Sequence, residues 1–300
     1  MKKKTYLFAL MAMALTLGSC SDNENGIGGE TSKYITVSTS IGNMTRVATD
    51  ANGGQTFEEG DEISVYAWTG DATVAPETRE RVVNNAINKL TNGSWVSTPQ
   101  MLWKNNRDKH YFIGVYPISA ISDLSVGEYA FDETKQVESD LLVAVNKDGL
   151  SYNVDEQQPV PLTFTHVMAK LVVNLTYKNQ WGGIPTVEKV VVGNAAKEAT
   201  INYLTKVVTP STTAKEDFSL PEITENTKYV SVIIPQEDVK QLTIVIGGKN
   251  FVYDNGTPFK LESGKITTVN LEVGRDEIKL GDVKITDWEN GSTFSGEALN

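Results

Sequence analysis

The side chains that most often carry out chemistry are scarce in this sequence. One thiol, Cys20, and two imidazoles, His110 and His166, are all that 300 residues supply. A single cysteine leaves no internal disulfide and no cysteine-ligated zinc. His166 sits in the apolar run Phe164-Thr165-His166-Val167 and reads as a hydrogen-bonded, partly buried side chain rather than a ligand. His110, in "NNRDKHYF", reads as a loop or strand-start residue. Carboxylates are plentiful, 38 in all, and Glu58-Glu59 with Asp61-Glu62 form the densest group. Calcium needs six to eight oxygens in a defined loop. Neither "DNENGIGGETSK" nor the stretch from Asp50 has the Gly and Glu positions of an EF-hand, so the cluster reads as a solvated turn. A glycosidase needs two carboxylates held across a cleft, and no pair here stands out by spacing. "GKN" and the other glycine pairs lack phosphate-loop spacing. Trp68, Trp95, Trp103, Trp181 and Trp288 are scattered, as core and edge residues are, rather than gathered into a sugar-stacking platform. The residues specify no catalytic site, no metal site and no cofactor.

Cys20 has a different chemistry open to it. The chain begins "MKKKTYLFALMAMALTLGSC", with Lys2, Lys3 and Lys4 ahead of an apolar run from Leu7 to Leu17. That is the layout of a secretory signal peptide, and the run is too short for the roughly 20 residues a bilayer span needs. Leu17-Gly18-Ser19-Cys20 resembles the bacterial lipobox, in which the cysteine is acylated and becomes the new N-terminus. The expectation is a signal peptide over residues 1–19, a lipid, palmitate among its acyl chains, on Cys20, and a flexible linker over residues 20–32. Ser21-Asp22-Asn23-Glu24 resembles the export signal of some Gram-negative surface lipoproteins, and Gly26, Gly28 and Gly29 suit a tether. Loss of residues 1–19 removes three lysines and no acid, moving the formal charge from −11 to −14. Such a chain has no electrostatic footprint for nucleic acid, and anionic lipid repels it, so the acyl chains must do the anchoring.

The elements that would position these residues are short strands between turn signals. "YITVSTSI" puts Ile35, Val37 and Ile41 on one face, and "DEISVYAW" alternates Ile63, Val65 and Ala67 against Ser64 and Tyr66. "AINKLTNGSWVS" predicts a hairpin turning at Asn92-Gly93. Val82, Val83, Ala86, Ile87 and Leu90 also fit helical spacing, but no cap precedes them and Asn-Gly ends the run. "HYFIGVYPIS", "SDLLVAVN", "VEKVVVGN", "KYVSVIIP", "LTIVIGGKNFVYD" and "GKITTVNLEV" continue the pattern. Strands at regular spacing predict an all-β protein of antiparallel β-sandwiches. The prolines of "QPVPLTFTHVMAKLVVNLTY" mark a boundary, giving one sandwich over residues 33–157 and another over 158–300. Phe164, Leu171 and Val173 are expected in the second core.

Several segments together resemble the fimbrillin family, the type V pilin and Mfa-like fimbrial surface lipoproteins. They are "FEEGDEISVYAW" (57–68), "YFIGVYP" (111–117), "DLLVA" (140–144), "PLTFTHVMAKLVV" (161–173) and "ITDWENGSTFSGE" (285–297), in the family's order. The resemblance implies two tandem Greek-key, transthyretin-like sandwiches. It also implies a non-catalytic structural subunit or anchor of a cell-surface fimbria, supporting adhesion and lipid-anchored at the outer membrane. Its partners would be other fimbrial subunits, the outer membrane and a host or bacterial surface ligand. Some members are cut by a trypsin-like protease after the first strand, and a neighbour's strand fills the groove, a form of β-strand addition. Arg46, in "NMTRVATDANGG", is placed for such a cut, or is an ordinary loop arginine. The alternative function is a glycan- or ligand-binding surface lipoprotein with the same sandwich. Such a module would gather several aromatics on one exposed face.

The segment "EIKLGDVKITDW" (277–288) follows a strand that already reads as complete. Ile278 and Leu280, then Val283 and Ile285, alternate with polar neighbours, and Gly281-Asp282 between them suits a bulge. It is the candidate donor strand. In an uncut chain, pairing with its own sheet is favoured by effective concentration.

Overall fold

The computed structural model describes residues 33–42, 56–153, 158–254 and 256–288. Alternating segments of the first half form β1 (Val37–Ile41), β2 (Glu62–Thr69), β3 (Arg81–Thr91), β4 (Ser94–Thr98), β5 (His110–Tyr116), β6 (Gly127–Ala130), β7 (Leu142–Leu150) and β8 (Val160–His166). The second half begins with β9 (Ala169–Tyr177), β10 (Val187–Ala196), β11 (Glu198–Asn202), β12 (Val207–Pro210) and β13 (Lys215–Leu220). It ends with β14 (Glu222–Thr224), β15 (Lys228–Ile233), β16 (Gln241–Ile246), β17 (Lys249–Asp254), β18 (Lys265–Val273) and β19 (Ile278–Asp287). The only helical pieces among the described residues are single 3₁₀ turns at Thr78–Glu80 and Asn179–Trp181. The fold is an all-β sandwich.

Turn chemistry accounts for the local geometry. Residues 82–90 are extended in β3, not helical, and Thr91 pairs with Ser94 across the turn. Asn92 and Gly93 take φ of 51° and 72°, the left-handed pair that a type I′ hairpin demands. Gly247-Gly248 does the same between β16 and β17.

The first sheet runs β1-β8-β7-β5-β2-β3-β4. Ile63, Val65 and Ala67 of β2 point into a core with Ile35, Val37, Ile41, Phe112, Leu162 and Phe164. The other face of β2 is buried as well, against the sequence expectation of a polar side. Tyr66 and Trp68 enter a second, larger core. The chain after β5 covers them: the Tyr66 hydroxyl accepts the Ile121 N–H at 2.8 Å, and Ser64 Oγ accepts the Ser119 N–H at 2.9 Å. Arg81 locks that cover by donating to the Ile121 and Ser122 carbonyls at 2.7 and 2.6 Å. Gly114 at the centre of the sheet is required by close approach, because a Cβ there would meet Phe164 Cζ at 2.6 Å.

The second half stacks a β13-β10-β16-β17 sheet on a β14-β15-β9-β18-β19 sheet, with a small β12-β11-β6 sheet beside them. The larger core is continuous from Tyr66 and Val143 of the first sheet to Val190 and Leu271 of the second half. Pairing is antiparallel except at β1–β8 and β9–β18, which are parallel. The prolines before residue 162 do not end the first sheet. β8 contains Pro161 and is the penultimate strand of that sheet, so the chain changes sheets after His166 rather than at residues 157–158. Phe164 accordingly packs in the first core, while Leu171 and Val173 enter the larger one. Proline lacks an N–H and is tolerated at sheet edges, and β8 is such an edge until β1 covers it.

Candidate functional site

Among the described residues the geometry of interest is that of the sheet edges. Residues 33–42 form one edge. Their second half, β1, runs parallel to β8 from the Val37–Val160 pair to the Ile41–Phe164 pair. The Val160 N–H donates to the Thr36 carbonyl and the Gly42 N–H to the Phe164 carbonyl, each at 2.8 Å. Their first half reaches the opposite end of the sheet. There the Ile35 N–H donates to Met101 O at 2.9 Å, and the Trp103 N–H donates to Lys33 O at 3.1 Å. One stretch of ten residues therefore joins both ends of the first sheet. Ile35, Val37 and Ile41 are 2%, 5% and 6% exposed. At about 1.5–3 kcal/mol for each fully buried aliphatic side chain, the three contribute roughly 5–9 kcal/mol of burial, comparable to the whole stability of a domain.

β19 forms a contrasting edge. It pairs antiparallel with β18, and two of its residues, Gly281 and Asp282, stand opposite Asn270 between the Val269–Val283 and Leu271–Leu280 pairs. That is the bulge the sequence suggests. Asn270 Nδ2 donates to Asp282 Oδ1 at 2.7 Å and fixes it. Ile278 and Leu280 are half-buried, but Val283 and Ile285 remain 41% and 39% exposed. Lys265–Asp287 and Lys178–Glu277 ion pairs dress the strand; exposed pairs of this kind contribute little.

The strand ends in a buried aromatic contact. Trp288 stacks on His166 with ring centroids 3.9 Å apart and planes 7° apart, and Lys170 Nζ lies 4.4 Å from the indole centroid. His166 Nδ1 is 2.8 Å from Asp140 Oδ1; the carboxylate can only accept, so Nδ1 carries the proton. Burial pushes the Lys170 ammonium down to about 8, against the pull of Asp140. Sequence reasoning found His166 as a bonded, buried residue but had no signal for its indole partner 122 positions later in the numbering.

The remaining candidates have structural work. His110 is buried at the start of β5, where Nε2 accepts the Lys104 N–H at 3.1 Å and Nδ1–H faces the Asp108 carbonyl. Burial lowers its pKa. Of the acidic turn, Asp61 accepts the Glu58 N–H, Glu59 accepts the Asn92 N–H, and Glu62 pairs with Lys89. No group of three or more His, Cys, Asp or Glu side chains among the described residues is placed to hold a metal. An open groove of about 750 Å³ passes Trp68, Arg79, Trp103 and Lys104. Trp68 is buried, however, and Trp103 packs against His110, Phe112 and Tyr152. Cys20 and Arg46 lie outside the described residues.

Comparison with known proteins completes the site. The fimbrillin-like family model matches residues 45–288. The chain belongs to the fimbrillin-like family. A relative from Bacteroides uniformis, provisionally named fimbrium subunit Fim1C, is 25% identical over 99% of this chain and 100% of its own. A crystal structure of a provisionally assigned cell adhesion protein, also from B. uniformis, superposes with a TM-score of 0.63 at 19% identity, covering 85% of this chain and 98% of that one. A fimbrial protein of Bacteroides vulgatus gives 0.53 at 12% identity, covering 84% and 99%. Those two likenesses establish the shared fold. The fimbrillin-like family is a structural, non-enzymatic class of fimbrium-associated surface proteins, and the chain is a member of that class.

Proposed function

We propose that this chain is a lipid-anchored fimbrial subunit, or the anchor of a fimbria, that assembles by β-strand addition and supports adhesion. The observation that carries the reading is the double attachment of residues 33–42. Their removal would leave the β8 edge and the backbone of residues 101–103 unpaired, above an apolar floor of Met101, Leu162 and Phe164. A groove of that kind takes an extended strand by main-chain pairing, with side-chain pockets setting specificity. Cleavage after Arg46 is the proposed opening step, and residues 277–288 of a neighbour the proposed occupant. In the intact chain β19 is self-paired, and the cut is expected to shift the balance toward exchange. Cys20 is the proposed lipidation site, holding the uncut chain on the outer membrane with its sandwich displayed; a cut after Arg46 would release the chain from that lipid, so an uncut chain is the anchored form. Division into two tandem sandwich domains is part of the same reading.

Treatment with a trypsin-like protease is expected to convert the protein into a ladder of oligomers, and deletion of residues 277–300 to abolish the ladder. A cut, full-length chain that stays monomeric at high concentration would end the stalk reading. Cys20→Ala is expected to lose labelling by a fatty-acid analogue; unchanged labelling would remove the anchor.

A further inference from the structure

β8 is held unevenly. Its last three residues pair with β7 through Ala144–Phe164, Val143–Thr165 and Leu142–His166. Its first four, Val160 to Thr163, have their ladder partners on β1. The strand whose loss opens the first sheet therefore also steadies half of β8. Two residues beyond the Ile41–Phe164 pair, about 7 Å along the strand, is His166, the platform for Trp288.

Trp288 is fastened on several sides. The flat stack on His166 is an aromatic contact, and the Lys170 ammonium over the indole is a cation–π contact in a desolvated setting. The Trp288 N–H donates to the Gly264 carbonyl at 3.0 Å, and the Gly264 N–H donates to Met168 O at 2.9 Å. Trp288 is 8% exposed, whereas Val283 and Ile285 on the strand before it are about two-fifths exposed. Asp140 holds the platform in place through Nδ1, and His166 Nε2 is buried with no hydrogen-bond partner. A ring free of other polar attachments at that end owes its orientation to Asp140, to β8 and to the indole.

We propose that Trp288 is a latch that fastens β19 to the end of β8, so that release of the C-terminal strand is tied to loss of the first strand. The intact chain keeps its own donor strand because the latch is seated. When residues 33–42 leave, the front half of β8 loses its ladder, the His166 platform shifts, and the indole is freed together with β19. The device would prevent an uncut chain from offering its strand prematurely. It rests on the strand-addition reading for its biological consequence, but its first readout does not require exchange.

The test is amide hydrogen exchange on the intact chain, comparing wild type with Trp288→Ala and Trp288→Phe. The alanine variant is expected to speed exchange of the residue 278–287 amides by about tenfold or more, as for a locally freed element. The β9 and β5 amides are expected to stay unchanged, and phenylalanine to give an intermediate rate. Equal rates in all three proteins would overturn the proposal. A second measurement uses 5-fluorotryptophan-labelled protein, with the Trp288 resonance assigned by Trp288→Phe. On cleavage and removal of the first strand, that ¹⁹F signal is expected to move to the solvent-exposed position. A signal that stays at its buried position would break the coupling and overturn the proposal. If the cut protein never oligomerises but both readouts move as expected, strand addition fails and the latch stands.

Discussion

β1 and β19 are both amphipathic strands at the margin of a sheet, and both are satisfied along one ladder of backbone hydrogen bonds. Their side chains fare differently. The stretch of residues 33–42 keeps Ile35, Val37 and Ile41 at 6% exposure or less, whereas β19 leaves Val283 and Ile285 at 41% and 39%. Backbone pairing and side-chain burial are thus separable. A strand can be fully registered in a sheet while much of its apolar face still lacks cover. Burying the remaining surface of Val283 and Ile285 would contribute on the order of 1–2 kcal/mol, so a groove that covers them competes with the sheet they occupy. β1 has no comparable incentive to leave. Only removal from the chain would vacate its place.

The largest expected effect comes from putting one charge on each strand. Val37→Asp would bury an unpaired carboxylate in the first core and is expected to cost about 4 kcal/mol or more in urea unfolding. Val283→Asp is expected to stay within about 1 kcal/mol of wild type. Similar losses at the two positions would erase the contrast. A smaller effect is expected at Gly114, where an added methyl must displace the Phe164 ring beneath β1. Gly114→Ala should destabilise the protein by about 1–3 kcal/mol, and hydrogen exchange should quicken most at β1 and β8, with a smaller rise at β19 passed on through the His166 platform. Equal acceleration at β19 would mean that the two edges share one response to strain in the first core.

The smallest effect concerns the cation under the indole. Lys170 lies at about 8 in the folded protein against an ordinary value of 10.5. Between those values the unfolded chain binds more protons than the folded one, so raising the pH through that window increases the Lys170 contribution to stability. The Lys170 ε-methylene is expected to titrate in NMR near pH 8. The alkaline gain should be missing from Lys170→Met. A midpoint at the ordinary value would show that β19 and Trp288 do not keep water from this site.

The sequence makes the strands and their tight turns legible where the signal is local. Alternation marks Ile35, Val37 and Ile41 as one buried face, Asn92-Gly93 and Gly247-Gly248 fix their hairpins, and Gly281-Asp282 marks the bulge. What is hidden depends on distant chain. Ser64 and Tyr66 read as a polar face because nothing local announces that residues 119–122 will fold over them. Pro161 reads as a boundary because proline interrupts ladders, yet it lies on the stretch of β8 that has no ladder partner on β7 and is accommodated there. The boundary so drawn assigns Phe164 to the second core, whereas it packs in the first. The candidate site shows the same division. β19 is visible as a spare amphipathic strand, while the Trp288–His166 stack joins two elements that no spacing connects.

The most direct test of the account is binding of a fluorescent peptide of residues 277–288 to the chain before and after cleavage at Arg46, with the first strand removed by dialysis under mild denaturant. The groove account expects the peptide to bind the cut chain saturably and to leave the intact chain unbound. Excess unlabelled peptide of residues 33–42 should displace it. Failure to bind the cut chain, or equal binding to both forms, would contradict it.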